Sequence, residues 1–288
     1  MSEFILELYS EEIPSNLQIN ARNDLQEKIK IYLIEENLKF GSLNVFSSPT
    51  RLTILLKDFS DKIKIPSKEI RGPKVGVMED IVNNFLKAHD LSRKDLMEKQ
   101  NDKGNFYYVK TKTKEVLTSE ILKKIIVNSI ASIKWKKSMR WAETDLLWGR
   151  PLRSILAIYN KKILTFSYGH LKATDCTYIE KDLDIKVKKV TNFKDYQKLL
   201  LNNNIVLDHE DRKKKIIKKF ENFFKVKNFK NHFDVKLLRE VTNIVEDPQV
   251  LLIDFDKKYL ELPKEIIIST LQNHQRYFPI FNKKDEIT

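Results

Sequence analysis

Cysteine is nearly absent from this chain, and glycine is scarce: one cysteine and six glycines in 288 residues. A lone Cys176 excludes an internal disulfide and a thiolate zinc cluster within one chain, and reads as a buried, inert thiol. So few glycines leave neither a GxxxxGK phosphate loop nor a GxGxxG turn, which gives no support to a phosphate-loop enzyme or a dinucleotide oxidoreductase. A GxSxG nucleophile elbow is missing as well. His89, His170, His209, His232 and His274 are scattered without HExxH or comparable spacing, so no metal site and no catalytic residue is expected. No run approaches the roughly 20 apolar residues of a membrane span. Glu3, Glu7, Glu11 and Glu12 make the N-terminus unlike the basic start of a secretory leader, so no membrane partner and a cytoplasmic location are expected.

Positive charge and lysine are abundant instead. The net charge is +13, with 53 basic residues of which ten are arginine. That balance points to an anionic partner, nucleic acid first, although lysine-rich composition also arises from nucleotide bias and only a one-sided distribution makes a footprint. A hydrophobic fraction of 41% is globular, and the length suits about two domains.

The pattern of elements is mixed. Phe4 to Tyr9 alternates as a strand, and after Ile13-Pro14 a helix follows with Leu17, Leu25, Ile29 and Leu33 on its apolar face. Paired strands are expected around Pro49-Thr50-Arg51, and an extended piece at Lys68 to Arg71 stopped by Gly72-Pro73. A helix at Glu79 to Ala88 should turn Ile81, Phe85 and Ala88 inward, and Asn105 to Thr113 should form a strand after the turn at 101–104. Beyond this come a helix at Ser119 to Lys134, strands at Leu152 to Tyr159 and Ile163 to Tyr168, and a turn at Gly169-His170. Helices at Tyr196 to Leu201 and Asp208 to Phe224 follow, the latter capped by Asp208 with lysines facing outward. Near the end, a short helix after Pro263 leads to a strand over Asn273 to Phe281, with a turn at Asn282 to Asp285 and a return strand from Ile287. The sequence is thus expected to stop inside an unfinished unit. The fold class expected is α+β, with two or more mixed modules and largely antiparallel sheets: 1–115 as an N-terminal module and 116–288 as a second module, incomplete at its C-terminal end.

Two polar constellations stand out. Met139-Arg140-Trp141 with Trp148-Gly149-Arg150-Pro151-Leu152-Arg153 interleaves arginines with large aromatics, a combination that stacks bases and grips phosphates. The alternative is that Trp135, Trp141 and Trp148 anchor a core while the arginines pair with carboxylates. His274-Gln275-Arg276 is the second, read as an internal polar network or a partner surface, since no nucleophile stands beside the histidine.

Phe4-Ile5-Leu6-Glu7-Leu8-Tyr9-Ser10-Glu11-Glu12-Ile13-Pro14 resembles the opening of the bacterial glycyl-tRNA synthetase beta-subunit family, and further segments match in the same order. These are Ser48-Pro49-Thr50-Arg51-Leu52, Arg71-Gly72-Pro73, Lys137-Ser138-Met139-Arg140-Trp141, Arg150-Pro151-Leu152 and Tyr168-Gly169-His170. The densest block runs from Glu240-Val241-Thr242 through Val245-Glu246-Asp247-Pro248-Gln249-Val250 and Leu262-Pro263 to Asn273-His274-Gln275-Arg276-Tyr277-Phe278-Pro279. Tyr9, Ala142 and Leu171-Lys172 depart from the family's pattern, and members of the family continue into further helical and anticodon-binding domains.

The resemblance implies a subunit of glycine-tRNA ligase with no complete active site of its own. ATP with Mg and glycine would be substrates on the alpha subunit of an alpha2beta2 tetramer, with no cofactor on this chain. Glycine tRNA would be held here, with Arg51, Arg71, Lys74, Arg140, Trp141, Arg150 and Arg153 as expected tRNA contacts. A reading from a different class is a stand-alone basic RNA-binding or assembly module without a ligase role.

Overall fold

A computed structural model describes all residues except 1, 103, 112, 142, 144, 182, 183, 228, 230–233 and 288. Ala142 and His232, named above, lie outside the described residues. The first half runs β1 (Glu3–Ser10), α1 (Ser15–Glu35), β2 (Ser42–Ser48), β3 (Arg51–Lys57), β4 (Lys62–Ile65), β5 (Glu69–Lys74), α2 (Glu79–Ala88), β6 (Leu96–Asn101), β7 (Gly104–Lys110), β8 (Lys114–Leu117) and α3 (Thr118–Ala131). Then come β9 (Met139–Arg140), β10 (Leu147–Trp148), β11 (Leu152–Tyr159), β12 (Lys162–Ile163), β13 (Ser167–Tyr168), β14 (Leu171–Thr174), β15 (Cys176–Lys181) and β16 (Asp184–Lys189). The helices α4 (Phe193–Asn202), α5 (His209–Lys227), α6 (Val235–Ile244) and α7 (Lys264–Ser269) follow, with a π-helical turn at Thr270–His274.

β1 is the centre of a seven-stranded sheet, between β11 and β3, with β2 and the pair β13-β14 farther out and β12 on β11. All of these pairings are antiparallel except β11 with β14. A central strand covered on both faces must be apolar on both. Phe4, Leu6 and Leu8 join a core with Leu25, Ile29 and Leu33 of α1 and with Ile121, Leu122 and Ile125 of α3. Ile5 on the other face packs with Phe193, Tyr196 and Leu200 of α4. Each such fully buried large side chain stabilises the fold by roughly 1.5–3 kcal/mol.

The α+β class with largely antiparallel sheets holds, while the sheet takes β1 to β3 and β11 to β14 from either side of residue 115. The main sheet therefore does not divide where the two expected modules meet. Between β3 and α3, the two-stranded pair β4-β8 forms a stem that carries a three-stranded sheet, β5-β7-β6, backed by α2.

Several local expectations need correction. In α2 it is Val82 and Leu86 that are buried, whereas Ile81 is exposed. β5 continues through Gly72-Pro73 because a bulge between Arg71 and Lys74 absorbs the proline without losing the pairing with β7. Residues 275–280 are not a strand: Arg276 is left-handed at φ 60° and Pro279 has no amide to donate, so only Phe281 pairs, with Ile287. The hairpin β15-β16 was not expected, although Ile185 and Val187 alternate with lysines as a strand does; every residue of Asp184–Lys189 is exposed. Cys176 is partly exposed rather than buried, and its thiol donates to Asp175 Oδ1 at 3.3 Å.

Candidate nucleic-acid interface

The expected contact residues fall into three places. Arg51 opens β3 opposite Tyr9 of β1, on the sheet face covered by α4 and β15. Only 1% of it is exposed. Its Nε donates to Glu7 Oε2 at 3.2 Å, Nη1 to Glu246 Oε1 at 3.0 Å and Thr50 Oγ1 at 2.6 Å, and Nη2 to the Tyr178 carbonyl. Glu7, itself fully buried, also accepts from Thr177 Oγ1 at 2.7 Å and from Tyr196 Oη at 2.6 Å. Burial works against the Arg51 charge, but Glu7, Tyr196 and Glu246 outweigh it and hold its pKa above the ordinary value. Burial and then Glu7 push the Tyr196 phenol well up. This is a closed ion-pair network with no arginine donor turned toward solvent, and its geometry suits holding elements together.

Beside it, Arg153 lies exposed and donates to Glu180 Oε2 at 3.0 Å, with its guanidinium 5.6 Å from the Tyr9 ring centroid. Tyr9 Oη reaches the same carboxylate oxygen at 3.0 Å, and burial together with that bond pushes its pKa up to about 12. The short hairpin β9-β10 carries Arg140, exposed and 3.6 Å from Asp145, while the Arg150 guanidinium caps the Gly149 carbonyl at 3.0 Å. The tryptophans around them are rooted in the core. Trp148 is fully buried 4.9 Å from the Trp135 ring, and Trp141 packs against the same core, edge-on to His170 at 6.3 Å. Both readings of the sequence hold in part: the tryptophans anchor the core, while Arg140 and Arg153 are exposed.

Arg71 and Lys74 lie elsewhere, on the three-stranded sheet. Both are exposed, and the Arg71 guanidinium stacks 3.6 Å over the Phe106 ring. The His274-Gln275-Arg276 set, expected as a polar network or partner surface, splits. Arg276 donates to Glu240 Oε1 at 2.8 Å, joining the last turns to α6, whereas His274 and Gln275 are exposed. Arg276 with Tyr277, Phe278, Phe220, Val250 and Leu252 lines an apolar groove of about 350 Å³.

Sequence reading missed Glu7, Thr177, Tyr196 and Glu246 as a network, because they meet only when the sheet forms. A signal for Glu7 did exist: apart from Glu3 at the strand's first position it is the one charge in the central strand, amid apolar residues, a pattern that calls for a buried partner. Among the described residues, no group of three or more His, Cys, Asp or Glu is placed to hold a metal ion, and no helix is long and apolar enough to cross a membrane.

The comparison with known families decides the kinship of this chain. Residues 4–288 match the family described as glycyl-tRNA synthetase beta subunit. The chain belongs to that family. Among relatives, the glycine-tRNA ligase beta subunit of Rickettsia prowazekii (strain Madrid E) is 38% identical over 283 residues, covering 98% of this chain and 42% of the relative. That of Rickettsia peacockii (strain Rustic) is 38% identical over 289 residues, covering all of this chain and 43% of the relative. The chain thus spans less than half the length of the curated relatives it matches.

Proposed function

We propose that this chain serves as part of the beta subunit of a glycine-tRNA ligase, binding and positioning glycine tRNA while glycine and ATP with Mg react on an alpha subunit of an alpha2beta2 assembly. The observation that carries this reading is the family match running through residues 4–288. Its physical support is the net charge of +13 and the exposure of Arg71, Lys74, Arg140 and Arg153. Lysines and arginines that neutralise phosphates release condensed counterions, which supplies sequence-independent affinity for RNA. A tRNA held in register converts an encounter of two macromolecules into a local reaction, so positioning alone lowers the barrier. Arg51 leaves the set of contacts because its donors are engaged inside the fold. Trp141, edge-on to His170, stays as a surface aromatic beside Arg140, and Arg150 borders it. Exposed His274 and Gln275 are assigned to a partner surface.

The test supplies the alpha subunit and the remainder of a beta subunit with and without this chain, and measures glycine-dependent charging of tRNA. Charging is expected only when the chain is present. Charging that ignores the chain, combined with salt-sensitive RNA binding, would replace this reading with an independent basic RNA-binding module.

A further inference from the structure

The outer face of the β5-β7-β6 sheet has a composition that packing does not require. Along β7, Tyr107 and Val109 point to α2 and join its small core, so alternation sends Phe106, Tyr108 and Lys110 to the opposite face. Register then places neighbours beside them. Glu69 sits opposite Lys110, Arg71 opposite Tyr108 and, past the bulge, Lys74 opposite Phe106; on the other side Met97 faces Tyr108 and Lys99 faces Phe106. Lys99 Nζ hovers 5.5 Å from the Tyr108 centroid and also pairs with Glu69. The face therefore presents two aromatic rings with four cations, Arg71, Lys74, Lys99 and Lys110, against one carboxylate, Glu69. It is open to solvent, since Arg71, Lys74 and Lys110 are exposed and Met97 is 41% exposed.

We propose that this face is a stacking platform for unpaired RNA nucleotides, with Phe106 and Tyr108 receiving bases and Arg71, Lys74, Lys99 and Lys110 receiving phosphates. It rests on the tRNA reading above and deepens it by naming where single-stranded nucleotides bind. Three physical points carry it. The Arg71 guanidinium lies 3.6 Å over Phe106, in the position a stacked base would take. An exposed arginine swings away readily, which frees the ring and turns the charge toward a phosphate. Phe106 and Tyr108 are two residues apart on one strand, roughly 7 Å by strand geometry. Bases in a duplex rise only ~3.4 Å per step, so neighbouring bases reach both rings only when unstacked from each other. The cations fit the polyanion, and the aromatic faces fit any base.

The experiment titrates the full 288-residue chain with fluorescently labelled single-stranded RNA, a duplex of the same sequence, and glycine tRNA, over a range of salt. Phe106→Leu with Tyr108→Leu is expected to weaken single-strand binding by about tenfold per ring while leaving the salt slope and the duplex affinity unchanged. Arg71→Gln with Lys99→Gln should instead flatten the salt slope. Ultraviolet crosslinking of the unaltered chain to the single strand, mapped by mass spectrometry, should place the adduct within Asn105 to Lys110, and this holds whether or not the double variant folds. Unchanged affinity of a folded aromatic variant, or crosslinks confined elsewhere, would overturn the platform while leaving tRNA binding intact. Failure of the unaltered chain to bind any RNA at low salt would overturn the tRNA reading and the platform with it.

Discussion

At the scale of single residues, the buried ionisable groups divide into paired and unpaired ones. Arg51 has carboxylates. Arg212 has none bonded to it: its guanidinium donates to the carbonyls of Thr242, Val206, Leu207 and Ser47, and burial followed by repulsion from Arg22 lowers its pKa to about 10. His209, one helical turn earlier, feels the same arginines. Asp208 at 3.5 Å and Glu210 at 3.6 Å favour its charged form, but burial first and Arg22 second prevail and bring it down to about 4. In the unfolded chain this histidine binds a proton near pH ~6.5, so between there and about pH 4 the unfolded state holds a proton that the folded state does not. Stability is therefore expected to fall as pH falls through that window, and this contribution stops growing below it. The melting temperature compared at about pH 7 and about pH 5 should drop less in His209→Gln than in the unaltered chain; equal drops would remove His209 as the cause.

At the scale of elements, close approach decides more than propensity does. The β10-β11 connection passes directly beneath Trp135, and a Cβ added to Gly149 would lie 2.4 Å from that ring. Gly149→Ala is expected to displace Trp135 from its 4.9 Å contact with Trp148, at a cost of roughly 1–3 kcal/mol from overpacking. A red-shifted tryptophan emission with a lowered melting temperature would report it, and an unchanged spectrum would count against it. The strand and helix starts were largely legible. Leu17, Leu25, Ile29 and Leu33 form the buried stripe of α1 as their spacing implies, and Asp208 accepts from the Glu210 amide at the start of α5. The fate of 275–280 was not legible, because a left-handed Arg276 held by Glu240 depends on a helix more than thirty residues upstream.

At the scale of the whole molecule, the C-terminal helices are tied to the first strands through polar groups as much as through apolar packing. Glu246, just past α6, closes on Arg51 and Thr50, while Gln18 of α1 donates to the carbonyls of Ile13 and Asn243. Arg51→Met would leave Glu7 buried without its cation, which costs roughly 3–5 kcal/mol. A fall in melting temperature on the order of 10 °C is expected by calorimetry. Adding Glu7→Gln to the same chain should restore part of it; no recovery would show that Arg51 acts through packing alone. The segment Val245 to Val250, prominent in the family resemblance, thus has a structural task in this fold.

By itself the sequence determined the α+β class, most helices and the inner strands of the main sheet, the excess of positive charge and the family, because these rest on local periodicity, composition and ordered motifs. Only the tertiary structure decided which cations face solvent. Arg51 on β3 and Arg153 on β11 flank the same central strand in segments of similar composition, yet one faces Glu7 inside the sheet and the other reaches Glu180 at its surface. Pairing across strands distant in sequence sets that difference, and register, unlike periodicity, is not written in any one segment.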